Sequence, residues 1–363
     1  MLHSSIVGGS TAKRVINCPA SVKLVAKMPP KPASVHADRG TLLHDAISQI
    51  LEGKPDVIGM KYNDITLTQE LYDEKIVPAL AFLDEIDPDT KMDYCVESRV
   101  GFGTLLPGVF GSADLLARIG TRAIVLDWKF GDGVLVSAEE NAQGMFYAAA
   151  AMRTPDTKWV FEGATEIEII IVQPPAMRRW VTTPERIKQF ETELVAAVKQ
   201  SQKSSAPFKT GDHCRWCSAK PICPQMTGEV DRFVKTSLQT IDATQIGHYL
   251  KQAEQIEDFI ASVREMAFTM LENDVKVPGY KLVAKRGTRQ WVNEADAEKL
   301  LGDKAYEKKL ISVAQAEKII GKKNFPQELA VSVSTGNTLA NEDDPRPAIL
   351  NIGKQLTNAL SKL

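Results

Sequence analysis

Residues 122–130 read RAIVLDWKF: a run of apolar β-formers that ends by placing Asp127 and Lys129 two positions apart. In a strand, alternate side chains share a face, so this acid and base project together, about 6.6 Å apart along the chain, while Trp128 turns to the other side. An ion pair at a strand exit would account for two charges alone. The neighbouring segments add more.

Two other β-rich runs precede it, MDYCVESRV (92–100) and VFGSADLLARI (109–119), the second joined to it through Gly120-Thr121 as in a tight hairpin. Asp114 lies in that second run. A hairpin turning at Gly120 brings Asp114 and Asp127 to the same end of adjacent strands, where both can hold a divalent cation. Mg²⁺ takes one or two carboxylates plus waters and phosphate oxygens, and a lysine beside it orients the attacking water and offsets phosphate charge. The chemistry is that of phosphodiester hydrolysis.

Helical patterns surround these strands. RGTLLHDAISQILEG carries Leu42, Leu43, Ala46, Ile47 and Ile50 at helical spacing, with His44 one turn in and Gly53 at the end. A second helix is expected over 69–86, kinked or split by Pro78. SAEENAQGMFYAAAAMR opens with Ser137 and Glu140 in capping-box spacing. EIEIIIVQ (166–173) reads as a strand stopped by Pro174-Pro175, and another helix is expected from Pro184 to about Lys203. The expected order is helix, three strands, helix, strand.

Beyond it, Ile246 to Met270 repeat apolar residues at spacings of three and four, a long amphipathic helix. YKLVAKRGTRQW reads as a hairpin and TGNTLANEDDPRP as irregular, mobile chain. Residues 275–323 hold 12 Lys and Arg against 6 Asp and Glu, a local excess that predicts a salt-sensitive DNA contact or a partner surface. The expected division is a core domain over 1–226, a helical segment over 227–273 and a small module over 274–363.

A formal charge of -2 excludes a generally basic protein, so nucleic acid must meet local patches. The N-terminal stretch lacks a continuous apolar region and no run of about 18 apolar residues occurs, which predicts a cytoplasmic protein without a membrane partner. Five cysteines argue against a disulfide framework and for metal or free thiols. Cys214, Cys217 and Cys223 form C-x2-C-x5-C, with Cys18 available as a distant fourth ligand; this spacing accommodates zinc or an iron-sulfur cluster. Cys95, in a strand pattern, is expected to be an inert core thiol.

The blocks RGT-x2-H (His44), G-x2-D (Gly111 to Asp114), D-x-K (Asp127 to Lys129) and Q-x3-Y (Gln143, Tyr147) together resemble the PD-(D/E)XK nucleases of the RecB branch. Cys18 with the three later cysteines is similar to the iron-sulfur nucleases represented by the AddB subunit and the CRISPR-associated Cas nucleases. R-x3-CP-x-S around Cys18, R-G-T-x2-H and the late EDDPRP resemble a bacteriophage-type family carried under a domain-of-unknown-function label, over nearly the whole chain. Two departures stand out: Leu126 occupies the place of a second acid before the motif aspartate, and Pro107 stands away from the metal aspartate.

The resemblance implies an α/β fold with a central mixed β-sheet flanked by helices, an iron-sulfur clasp and a C-terminal helical extension. It implies that His44, Asp114, Asp127, the Trp128 backbone and Glu97 hold Mg²⁺ or Mn²⁺, that Lys129 positions the water, and that Gln143 and Tyr147 orient the strand. It implies a 4Fe-4S cluster on Cys18, Cys214, Cys217 and Cys223 in place of zinc. The expected activity is a DNA exonuclease of phage-type recombination or replication, acting in a bacterial host's cytoplasm if phage-encoded, with a single-strand annealing or single-strand-binding protein as partner. Its rival is a non-catalytic DNA-binding or scaffold protein that keeps the fold and the clasp.

Overall fold

The computed structural model describes residues 4–28, 34–131, 135–228, 243–283, 312–321, 325–326 and 329–330. The chain divides into two units, Met1–Val283 and Ala284–Leu363. In the first, short helices α1 (Ala12–Asn17) and α2 (Ser21–Val25) precede α3 (Val35–Leu51), a small hairpin of β1 (Lys61–Tyr62) and β2 (Ile65–Thr66), and the helices α4 (Gln69–Leu71) and α5 (Val77–Ile86). Then come β3 (Asp93–Gly101), β4 (Phe110–Ile119), β5 (Arg122–Trp128), α6 (Ala142–Ala151), β6 (Glu166–Gln173), β7 (Ala176–Thr182), α7 (Pro184–Ser201) and α8 (Ala243–Glu272). In the second unit the described helix is α9 (Val313–Ile320), capped by Ser312, whose Oγ accepts from the Gln315 N–H.

The five long strands form one mixed sheet in the order β3-β4-β5-β6-β7, antiparallel throughout except for β5 beside β6. The parallel pair needs a crossover, and α6 lies in it. Strand alternation separates two apolar layers: Val125, Ile167 and Ile169 pack with α6 and α7, whereas Ile124, Leu126, Trp128, Ile170 and Val172 pack with α3 and α5. The central mixed sheet flanked by helices that the sequence led us to expect is therefore present.

Where the structure departs from expectation, local chemistry explains it. The helix expected to open at Ser137 begins at Ala142, because Glu140 takes a φ of 49° that no helix accommodates. Asn141 caps it instead, its Oδ1 accepting from the N–H groups of Gln143 and Gly144 at 3.0 Å each. Glu140 turns outward to Arg186, whose Nε donates to it at 2.9 Å. Pro78 splits its helical run as expected, with a π-helical turn over Tyr72–Ile76 just before it.

Pro174-Pro175 end β6 but do not end the sheet, since the chain turns back as the edge strand β7. Cys95 is half-buried rather than enclosed, and it packs on the α6 layer. The long helix over 246–270 is present as α8. Most of the stretch 275–323, the later part of YKLVAKRGTRQW, and the tail with EDDPRP lie outside the described residues. No described helix is long and apolar enough to cross a membrane.

Candidate metal centre

The β4–β5 hairpin turns at Gly120, with a φ of 58°, and pairs Leu115 with Leu126. Across β3, the pairs Val96–Leu115 and Ser98–Ala113 bracket Glu97 and Asp114. Carrying each register one step further sets Glu97, Asp114 and Asp127 opposite one another, a row of three acids on adjacent strands. The regular ladder is interrupted at this row. Glu97 has a φ of 44°, a left-handed backbone that costs a non-glycine residue about 1–2 kcal/mol, and Asp114 Oδ2 accepts the Trp128 N–H at 2.8 Å.

His44 reaches this row from α3 on the opposite layer. Its Nδ1 lies 3.4 Å from Asp114 Oδ2, its ring hydrogen-bonds the Trp128 backbone, and Phe130 packs edge-on against it with centroids 5.3 Å apart. Ligand atoms of His44, Glu97 and Asp114 all lie within 4.8 Å of one another, which suits one small cation. Burial lowers the His44 pKa to about 4, so the imidazole is neutral and its lone pair available at pH 7. Burial also raises the carboxyls of Glu97 and Asp114, and the Asp127 charge pushes Asp114 further the same way.

Asp127 faces the α6 layer and is nearly inaccessible. Its Oδ2 lies 2.6 Å from Lys129 Nζ, and its Oδ1 accepts from Gln143 Nε2 at 2.8 Å. Lys129 also donates to Gln143 Oε1 at 3.1 Å, and the Gln143 amide reaches Tyr147 Oη at 3.2 Å. Burial alone would lower the Lys129 pKa, but attraction and hydrogen bonding to Asp127 outweigh it and hold the ammonium charged. The Tyr147 phenol is raised by burial, with the site's carboxylates adding to it, and stays protonated. One turn of α6 thus contributes an amide and a phenol to the same network.

The three acids, His44, Lys129, Gln143 and Tyr147 line a single cavity of about 570 Å³. The structure brings together His44, Glu97, Asp114, Asp127, Lys129, Gln143 and Tyr147, but Asp127, expected among the cation's ligands, lies outside the trio and has its carboxylate on Lys129 and Gln143. Trp128 contributes through its backbone, which hydrogen-bonds both Asp114 and His44, while its side chain is buried with the α3 layer.

Ser112 and Gly9 were not anticipated, and Gly111, known from its motif, takes a packing role as well. Ser112 Oγ donates to Glu97 Oε2 at 2.9 Å and holds that carboxylate. Gly111 and Gly9 cradle Tyr147: a Cβ at Gly111 would lie 3.0 Å from Tyr147 Cε1, and one at Gly9 would lie 2.7 Å from Cζ. A glycine inside a strand was the available signal, since it marks close approach of another group.

Cys18, Cys214, Cys217 and Cys223 line a second, small cavity together with Arg14 and Ser21. Burial raises the thiols of Cys214, to about 11, and Cys217, and the neighbouring cysteines add to this. Such thiols are poor nucleophiles, and a bound cation would replace their protons. The segments that carry them are tied directly: Ala20 N donates to Pro207 O at 3.2 Å, and Lys23 Nζ donates to the carbonyls of Gln202 and Lys203 at 2.8 and 2.9 Å.

The chain belongs to the family described as "Protein of unknown function (DUF2800)", whose profile matches residues 3–347. A solved structure described as "Crystal structure of SSO0001" is similar at 14% identity, covering 59% of this chain and 84% of that one, with a TM-score of 0.27.

The electrostatics of Asp114 give a signed expectation. A carboxyl whose pKa is raised by folding binds its proton more tightly in the folded state. Stability therefore falls as pH rises from the ordinary carboxylate range through the raised value, and the ionised group is a burden above it. At pH 8 in EDTA, Asp114→Asn should melt above the wild type, by roughly 2–4 °C for each kcal/mol relieved. Addition of Mn²⁺ should raise the wild-type midpoint and not the variant's. A variant that melts lower than the wild type in EDTA would contradict this account of the site.

Proposed function

We propose that this protein is a metal-dependent deoxyribonuclease, an exonuclease of phage-type recombination or replication built on the PD-(D/E)XK plan that its motifs resemble. One observation carries the proposal: three carboxylates, an imidazole and a lysine converge in one cavity at the C-terminal end of β5 and the middle of β3 and β4. His44, Glu97 and Asp114 are the residues that would hold Mg²⁺ or Mn²⁺, with Asp127 beside them. The cation would supply charge neutralisation at the scissile phosphate and a more acidic water. Lys129, kept as an ammonium, cannot accept a proton, so its part is to orient water and offset phosphate charge. Gln143 fixes Asp127 and Lys129 relative to each other, and Tyr147 limits how the strand enters.

The assay uses 5′- and 3′-labelled linear DNA and circular DNA with Mg²⁺, Mn²⁺ or EDTA. Linear DNA should be degraded with metal only, and Lys129→Ala should lower the rate by roughly a hundredfold or more while leaving DNA affinity largely intact. DNA that is bound but never cut, under any of these metals, would replace the enzyme with a DNA-binding or scaffold protein.

The four cysteines belong to the same proposal as a structural clasp holding a 4Fe-4S cluster. Donor type and number fit it, and hydrolysis needs no electron, so the cluster has no place in the chemistry. A crosslink from Cys18 to Cys214 closes a loop of nearly 200 residues, for which chain entropy alone gives about 5 kcal/mol. Anaerobically purified protein should be coloured and contain iron, and Cys18→Ala should lose colour, iron and thermal stability together. Stoichiometric zinc without iron would assign the clasp to zinc, and a Cys18→Ala protein with unchanged metal content and melting point would remove the clasp.

A further inference from the structure

The charge around the cysteine clasp differs from that of the chain as a whole. Residues 12–28 and 201–225 together carry eight Lys and Arg against Asp212 alone, a formal +7 within a chain of -2. These two segments are the ones tied together at the clasp. Lys13, Lys27, Lys203, Lys209 and Arg215 are exposed there, whereas the Lys23 ammonium is taken up by the carbonyls of Gln202 and Lys203.

Between Cys214 and Cys217, Trp216 is 80% exposed, an indole in water where an apolar side chain is not stabilised. The Arg215 guanidinium stands 5.6 Å from its ring centroid. The ring borders a groove of about 450 Å³ between the cysteine loop and α8, which shares no lining residue with the candidate metal centre. Of the acids in this groove, Asp258 lies 3.4 Å from Lys220 Nζ, and Glu265 is the other.

We propose that this face binds single-stranded DNA, with Trp216 stacked on an unpaired base and the surrounding lysines following the phosphates. Exposed aromatics set among basic side chains are the recurring means of holding a single strand, because every base has a face to stack while the phosphates supply the charge. A duplex offers no unpaired base, so its affinity would depend on the lysines alone. The inference deepens the nuclease proposal by giving the strand a docking site away from the cavity where it would be cut.

The test uses the full-length protein in EDTA, so that binding is read without cleavage. Anisotropy of a fluorescein-labelled dT 20-mer, titrated across salt concentrations, should show Trp216→Ala weakening binding by roughly five- to a hundredfold. Trp216→Phe should retain most of the affinity, and Lys209→Ala should flatten the salt slope by about one unit or less. In the wild type, the oligonucleotide should quench indole fluorescence, and Trp216→Phe should lack that component. The proposal is overturned if the wild type does not bind dT, if Trp216→Ala binds it unchanged, or if a labelled duplex loses as much affinity as the single strand. A wild type that binds through Trp216 yet cleaves nothing with metal would remove the nuclease reading and leave this site in place.

Discussion

Three carboxylates set side by side on adjacent strands repel one another, and the architecture around them answers that repulsion. Opposed side chains in a sheet stand about 5 Å apart, so each adjacent pair of charges would cost on the order of 3 kcal/mol at an effective dielectric near 20. The row Glu97, Asp114, Asp127 contains two such pairs. Each acid is met differently. Glu97 is turned by its backbone onto Ser112, Asp114 takes the Trp128 N–H, and Asp127 is held by Lys129 and Gln143. Partial compensation leaves a negative centre that a divalent cation completes.

That centre depends on where the layers end. β5 and β6 are apolar on both faces for most of their length, and α3 and α6 cover opposite faces. At the C-terminal end of β5 both helices are within reach, one with an imidazole and the other with an amide and a phenol. The interior charges are therefore supplied by short-range partners fixed to rigid elements, a placement that favours precise geometry over mobility. The glycines at positions 9, 111 and 144 serve the same end: each lets a neighbouring side chain approach the backbone, and at Gly144 a Cβ would stand 2.5 Å from Ile169 Cγ2.

Much of this was legible beforehand because it rests on local signals. The run of apolar β-formers in RAIVLDWKF located β5, the two-residue period of a strand put Asp127 and Lys129 on one face, and Gly120 set the hairpin that aligns Asp114. The cysteine spacing grouped Cys214, Cys217 and Cys223, and resemblance supplied Cys18. What escaped were features decided by tertiary context. Ser137 and Glu140 carry a valid cap spacing, but the contact of Glu140 with Arg186, 46 residues away, accompanies a backbone that excludes the helix there. The strand β7 hid behind Pro174-Pro175 and a pair of arginines, one of which, Arg179, neutralises the buried Glu168 with Nε 2.6 Å from its Oε1. Ser112 bears on the site because the β3–β4 register pairs it with Arg99, which sets it diagonal to Glu97 on one face of the sheet, and that register cannot be read from either residue in sequence.

The central claim is that His44, Glu97 and Asp114 form one cation site, with Asp127 engaged by Lys129 beside it. A crystal of the full-length protein soaked in Mn²⁺, with anomalous differences collected at the manganese edge, tests it most directly. The account predicts a peak bonded to His44, Glu97 and Asp114 at about 2.0–2.3 Å, the range of small divalent ions on oxygen and nitrogen ligands. A peak elsewhere in the molecule, or none at a concentration that supports cleavage, would contradict it.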